Sequence, residues 1–423
     1  MKATVRALIS VLALVVAGAV TAPAASARPV AAPATTAVMS APVIAGAVVS
    51  VTPARIADSR TALQIPGPVG AVATAVVQLT GRGGIPGIGV AAVLATVTVV
   101  APQQAGYLTV WPAETIRPGT SNLNFQAGQT IANTALLRVG TRGGVEVFNG
   151  SYGTVQVIVD VTGYIRSGTP TAAGAVAPVG PARIVDSRTA LQISGPVPAL
   201  ATEDVQIGGQ GGIPLGVAGV VATVTVVDPQ QAGYLTLWPS GDQRPGTSNL
   251  NFQAGENIAT TVIVPVSGDY ALRLFNGSAG TVHVIIDVTG YTLPGTPVVT
   301  GTLWSVTPSR IADSRIGLQI PPAVPPLGTI GVPVTGPGSG AAAVTLTVTV
   351  VSPHDSGYLT VWPSGTSRPG TSNLNFRAGQ DIAATVVVPV GPDGQVRLFN
   401  GSSGAVDLIV DISGYTLAGA TPS

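Results

Sequence analysis

Six aspartates recur at equivalent places in this chain, and paired carboxylates are what glycosidases use as general acid and as nucleophile or base. Asp58, Asp186 and Asp313 each sit in an Arg-Ile-x-Asp-Ser-Arg hexapeptide, and Asp160, Asp287 and Asp411 each open an Asp-x-x-Gly-Tyr sequence. Asp160, however, lies within Val157-Ile158-Val159-Asp160-Val161. A carboxylate on so apolar a strand requires an arginine beside it, and Arg55 and Arg60 are the obvious partners. Structural ion pairs among Arg55, Asp58, Arg60 and Asp160 are therefore expected ahead of catalysis. The same holds for Arg183, Asp186, Arg188 and Asp287, and for Arg310, Asp313, Arg315 and Asp411. A serine hydrolase would need a base, usually His. His283 stands where the other copies carry Gln156 and Asp407, and His354 where they carry Gln103 and Gln230. Neither position is built around an imidazole, so no catalytic residue is assigned, and glycoside hydrolysis remains a distant alternative.

A second set of residues has the chemistry of binding. Gly-Tyr-Leu-Thr-x-Trp-Pro begins at Gly106, Gly233 and Gly357, and Arg-Pro-Gly-Thr-Ser-Asn-Leu-Asn-Phe at Arg117, Arg244 and Arg368. On a strand, Tyr107, Thr109 and Trp111 share one face while Leu108 and Val110 share the other. If Leu108 and Val110 point inward, Tyr107 and Trp111 form an aromatic platform flanked by Arg117, Asn122 and Asn124. Rings against apolar sugar faces, with amides and a guanidinium for hydroxyls, make a glycan site. The equivalent sets are Tyr234, Trp238, Arg244, Asn249 and Asn251, and Tyr358, Trp362, Arg368, Asn373 and Asn375. The alternative is that Tyr107 and Trp111 cap the core, Arg117-Pro118-Gly119 is a fixed turn, and the asparagines satisfy loop backbone. Exposure of Trp111, Trp238 and Trp362 would favour binding, and their burial would leave a scaffold.

The elements that position these residues come in three copies. The hexapeptide at Arg55 returns after 128 residues at Arg183 and after 127 more at Arg310. A period above one hundred residues exceeds any solenoid repeat or propeller blade and fits one domain per copy. Alternation of Thr and Val, as in Ala95 to Val100, indicates strands with one buried and one hydroxyl-bearing face. Val145 to Phe148, Asn149-Gly150 and Thr154 to Val159 read as a hairpin, with Asn-Gly supplying positive φ at the turn. That turn explains the sequon-like Asn-Gly-Ser better than glycosylation does. Seven to nine strands per copy is the scale of a sandwich. The expected fold class is all-β: three tandem homologous β-sandwich domains over residues 50–166, 178–293 and 304–418. Short Pro/Gly/Thr linkers would join them as beads on a stiff string, with pseudo-threefold packing as the alternative.

Composition agrees. The 423 residues are 46% hydrophobic and only 9% charged, with 54 Gly and 36 Pro, a mixture that disfavours long amphipathic helices and favours short strands and turns. Lys2 is the one lysine, and the net charge is +1, so the clustered cations that nucleic-acid binding requires are absent. Two histidines and no cysteine exclude zinc clusters, thiol catalysis and disulfides. No metal or cofactor is expected. Lys2 and Arg6 precede an apolar run to Ala22, with Ala25-Ser26-Ala27 behind it. This reads as a secretory signal peptide over residues 1–27, followed by an Ala/Pro-rich linker over 28–49, with no membrane span left after cleavage.

Taken together, the Arg-Ile-x-Asp-Ser-Arg, Gly-Tyr-Leu-Thr-x-Trp-Pro, Arg-Pro-Gly-Thr-Ser-Asn-Leu-Asn-Phe, Phe-Asn-Gly-Ser and Asp-x-x-Gly-Tyr patterns resemble a tandem module of secreted actinobacterial proteins. The likeness covers nearly all of each copy. It implies an accessory domain, found alone in tandem or beside secreted hydrolases, and assigns no activity. Copy 1 departs from the pattern at Ala113-Glu114-Thr115-Ile116, and copy 3 is Pro-rich at Pro321 to Pro326.

The expected function is a secreted or cell-surface, non-enzymatic, multivalent protein whose partner is a cell-wall or extracellular polysaccharide. Three weak sites on one chain would gain strength by linkage. The alternative is a structural or adhesive spacer, which the low charge favours.

Overall fold

In copy 1, β-branched and apolar residues set out eight strands: β1 (Val48–Asp58), β2 (Thr74–Gln78), β3 (Val90–Val100), β4 (Gly106–Pro112), β5 (Leu123–Phe125), β6 (Ile131–Arg138), β7 (Gly144–Asn149) and β8 (Gln156–Arg166). The computed structural model describes residues 44–418; the signal-peptide reading of residues 1–27 lies outside them. Copy 2 repeats the eight strands from β9 (Val176–Asp186) to β16 (His283–Thr292), and copy 3 from β17 (Leu303–Asp313) to β24 (Asp407–Thr416). Among the described residues no helix is long and apolar enough to cross a membrane.

The strands form six antiparallel four-stranded sheets, two per copy, ordered β1-β8-β3-β6 and β2-β7-β4-β5 in copy 1 and likewise in the others. Val97, Val99, Val157 and Val159 from the first sheet share one apolar cluster with Val77, Leu108, Val110 and Val147 from the second.

The expected fold class is overturned. The chain is all-β, but it is an array of six small sheets within one unit spanning Ala41 to Ser423, not three tandem sandwich domains on linkers. Six sheets of four strands match the blades of a six-bladed propeller in number and size, although the strands of each sheet interleave out of sequence order. The stretches expected as linkers close a ring. Val176 N–H donates to Gly46 O, Leu303 N–H to Gly174 O, and Val48 N–H to Gly301 O, each at 2.8 Å. The three acceptor glycines have φ of 78°, 73° and 80°, the left-handed region that glycine enters without a steric penalty. A Cβ on Gly46 would lie 2.8 Å from Val176 O and one on Gly174 2.7 Å from Leu303 O. Val48, Val176, Leu303, Leu94, Leu136 and Ile263 belong to a second apolar cluster drawn from all three copies.

Two local expectations change with it. The Thr96 and Thr98 face of β3 is buried, not solvated, because the outer face of that sheet packs toward the neighbouring copies. The sequence from β7 to β8 is not a hairpin: β7 pairs with β2 and β4, whereas β8 pairs with β1 and β3. Asn149 and Gly150 do not adopt positive φ. The fully buried Asn149 instead donates from Nδ2 to Gly70 O and Gly153 O, both at 2.8 Å, while its Oδ1 accepts from Ser151 N–H at 3.0 Å. That side chain spans the crossing between sheets, which occupies the sequon as a structural element.

Candidate functional site

The hexapeptide ends the first strand of each copy. A register shift between Arg55 and Ala57 lets Arg55 sit opposite Asp160 while Ile56 enters the core, the re-aiming that an extra residue in one strand produces. Arg55 grips Asp160 with two bonds, Nε to Oδ1 at 2.8 Å and Nη2 to Oδ2 at 3.0 Å. Asp58 accepts from Arg60 Nε at 2.9 Å and Nη2 at 2.7 Å, and from Arg55 Nη1 at 3.3 Å. Arg183 and Arg188 hold Asp287 and Asp186 in the same way. Arg310 and Arg315 hold Asp411 and Asp313, with Arg310 Nη2 turned from Asp411 to Gly246 O of copy 2 at 3.3 Å.

All six repeated carboxylates are thus engaged by arginine. The Arg60 hydrogen bonds hold the Asp58 carboxyl below the usual carboxylate range, against the cost of burial, and Asp186 and Asp313 are held down likewise. Burial pushes the Asp160 carboxyl up despite the Arg55 guanidinium, and Asp287 and Asp411 behave alike. The intervening serine also has a role. Ser59 Oγ accepts from Val157 N–H at 2.8 Å, as Ser187 does from Val284 and Ser314 from Leu408. His283 is the Ser187 partner at 2.9 Å, in the place of Gln156 and Asp407.

The proposed aromatic platform divides. Trp111, Trp238 and Trp362 are only 4%, 3% and 5% exposed, and each indole N–H donates to a loop carbonyl four residues on. Asn122, Asn249 and Asn373 are also buried, their Oδ1 accepting the N–H of Val110, Leu237 and Val361 at 2.6–2.7 Å. These six positions are corrected from ligand contacts to core. Tyr107, Arg117 and Asn124 remain at the surface, Tyr107 at 37% exposure. Tyr234, Arg244 and Asn251, and Tyr358, Arg368 and Asn375, have the same placement.

Sequence reasoning missed the phenylalanine before each Asn-Gly-Ser. The Arg117 guanidinium lies 3.7 Å over the Phe148 ring, Arg244 3.7 Å over Phe275 and Arg368 3.6 Å over Phe399. This cation–π contact fixes an exposed charge in place. Tyr107 leans on the same ring at 6.2 Å.

The two sets of motifs meet between copies, not within one. A cleft of 370 Å³ joins Tyr107, Arg117 and Asn124 of copy 1 to Arg183 and Arg188 of copy 2. One of 280 Å³ joins Tyr234, Arg244 and Asn251 of copy 2 to Arg310 and Arg315 of copy 3. A third, of 250 Å³, closes the cycle from Tyr358, Arg368 and Asn375 of copy 3 to Arg55 and Arg60 of copy 1. The repetition of both motifs was the available signal. Their pairing across copies is a tertiary fact that spacing along one copy does not contain.

No protein-family model matches the chain, and no curated protein matches it. Among solved structures, one described as "Life in the extremes: atomic structure of Sulfolobus Turreted Icosahedral Virus" aligns at 10% identity and TM-score 0.21, over 84% of this chain and 85% of that one. Another, "The Triple Jelly Roll Fold and Turret Assembly in an Archaeal Virus", aligns at 10% identity and TM-score 0.20, over 83% and 85%. Scores this low define neither the fold nor a role.

Proposed function

We propose that the chain is a secreted, non-enzymatic structural module, a rigid scaffold of the cell surface whose three copies brace one another. The observation that carries this reading is the closed cycle of backbone bonds from Val48, Val176 and Leu303 to the preceding glycines of neighbouring copies. A repeat that evolved only to string binding sites along a tether would have no use for such closure. The repeated polar residues support the same reading, since Asn122, Trp111 and Asp160 and their equivalents are spent inside the fold. A net charge of +1 with few charged residues suits close association with a surface or with further copies. The N-terminal basic and apolar run supports export.

Incubating the purified full chain with peptidoglycan, insoluble polysaccharides and chromogenic glycosides tests the absence of chemistry. No soluble sugar or chromophore is expected. Release that a combined Asp58→Asn, Asp160→Asn variant abolishes would overturn the scaffold reading in favour of hydrolysis.

A further inference from the structure

The three clefts contain groups that the scaffold leaves unused. Thr98 and Thr371 line the cleft between copies 3 and 1, and Thr247 and Thr349 that between copies 2 and 3. All four are at least nine-tenths buried, and none of their hydroxyls has a hydrogen-bond partner. Thr120 repeats the defect in the cleft between copies 1 and 2. A desolvated hydroxyl without a partner is unfavourable, and the same orphan recurs at equivalent places beside each cleft, where a small side-chain shift would present it to a bound molecule.

Beside each orphan stand the groups that bind an acidic sugar. Arg117 offers a planar fork of donors already oriented by Phe148. Asn124 accepts from Ser121 Oγ through Oδ1 at 3.1 Å and keeps its NH2 to donate. The Tyr107 ring is partly open for stacking. We propose that two of the three clefts, those between copies 1 and 2 and between copies 3 and 1, each receive one acidic unit of an extracellular polysaccharide, with its carboxylate or phosphate on the guanidinium groups and its ring and hydroxyls on the tyrosine, asparagine and threonines. This goes beyond the scaffold reading and fails separately from it, because a chain that binds nothing is still a scaffold.

The clefts are not equal. Between copies 1 and 2, Arg117, Arg183 and Arg188 face Asp186 and Asp287, which leaves one positive charge unbalanced. Arg368, Arg55 and Arg60 face Asp58 and Asp160 in the same ratio. In the cleft between copies 2 and 3, Asp381 occupies the place of Asn257 and Thr130, and Asp407, beside Arg315, the place of Gln156 and His283, so that two added carboxylates more than cancel the excess. Two clefts therefore attract an anion and the third does not.

Calorimetric titration of the full chain with an oligogalacturonide, a phosphorylated mannan and a neutral oligosaccharide of equal length tests this. The expected result is two sites per chain for at least one acidic probe, weakened about threefold or more between about 20 and 200 mM salt, and weak or no binding of the neutral probe. Which acidic probe binds identifies carboxylate or phosphate as the anion. Arg117→Ala should remove one site and Arg368→Ala the other, while Arg244→Ala leaves both. Asp381→Asn combined with Asp407→Gln should create a third, because asparagine can keep the bond from Ser352 N–H as Asn257 does from Asp228 N–H, and glutamine the bond from Ser314 Oγ as Gln156 does from Ser59 Oγ. Should an arginine variant not fold, Thr130→Asp removes the site between copies 3 and 1 by charge alone. Failure of both acidic probes to bind, equal binding of the neutral probe, or two sites persisting in folded Arg117→Ala, Arg368→Ala protein would overturn the proposal.

Discussion

Gln129 donates from Nε2 to Oε1 of Glu256 at 3.0 Å, across 127 positions of chain. Gln380 donates to the same oxygen at 3.1 Å. Each of these three equivalent side chains uses its other oxygen, or its only one, on its own copy: Gln126 N–H, Gln253 N–H and Arg377 N–H donate to Gln129, Glu256 and Gln380. What remains at the meeting point is one carboxylate oxygen and two amide donors, which satisfy one another. Three glutamines would leave donors without an acceptor, and three glutamates acceptors without a donor. The copies are therefore not interchangeable at this point of contact.

Glu256→Gln should cost about 3 kcal/mol, since two charge-assisted bonds are lost and two donors stay buried. The combination Gln129→Glu, Gln380→Glu brings three carboxylates together and should destabilise at least as much at neutral pH. Part of that loss should return as the pH falls toward the carboxylate range, unlike the loss in Glu256→Gln. Urea unfolding of the full chain at neutral and mildly acidic pH measures both.

Gly150 lies under the Tyr107 ring so closely that a Cβ there would strike it, and Gly277 with Tyr234 and Gly401 with Tyr358 repeat the contact. Gly150→Ala should destabilise by about 1–3 kcal/mol by overpacking. Removing the ring relieves the clash, so Tyr107→Ala combined with Gly150→Ala should cost less than the two single changes summed. Additive costs in that cycle would mean the glycine serves the backbone and not the ring.

Closure of the ring has a thermal consequence. Leu108 is fully buried, and Leu108→Ala should cost about 2–5 kcal/mol. Because the copies share backbone bonds and a common apolar cluster, the whole chain should still unfold in one transition at a lower temperature. Calorimetry that instead finds one shifted transition beside two unshifted ones would describe three independent units.

The all-β class, the three copies and a range of seven to nine strands in each, which includes the eight observed, were legible because β-branched alternation and repetition are local signals. Which strands share a sheet was not. Val145 to Val159 has the pattern of a hairpin, yet β7 and β8 find partners in different sheets, and nothing in a pleated run specifies its neighbour. The tryptophans failed for a related reason. Alternation separates Tyr107, Thr109 and Trp111 from Leu108 and Val110, and it identifies the solvated face only if one face is solvated. Here Thr109 and Trp111 are buried together with Leu108 and Val110. Arginine pairing of the six aspartates was accessible because an apolar strand cannot carry an unpaired carboxylate.

Those aspartates divide the acid response into two steps of opposite sign. Asp58, held below its ordinary 3.8 by Arg60, contributes stability that is complete above that value and lost as pH falls through the lower folded-state value. Asp160 is pushed above 3.8 by burial, so its folded form takes the proton first. Ionisation of Asp160 lowers stability as pH rises through the raised value, and protonation restores it on the way down. Asp58→Asn should cost about 3 kcal/mol at neutral pH through loss of the bonds from Arg60 and Arg55, a gap that closes only below pH 3.8. Any gap between the parent chain and Asp160→Asn should change at higher pH, above 3.8, because asparagine resembles the protonated acid. Chemical unfolding of both variants and the parent from pH 7 to pH 2 resolves the order, and closure of the Asp58→Asn gap at the higher pH would contradict the assignment of the two carboxylates.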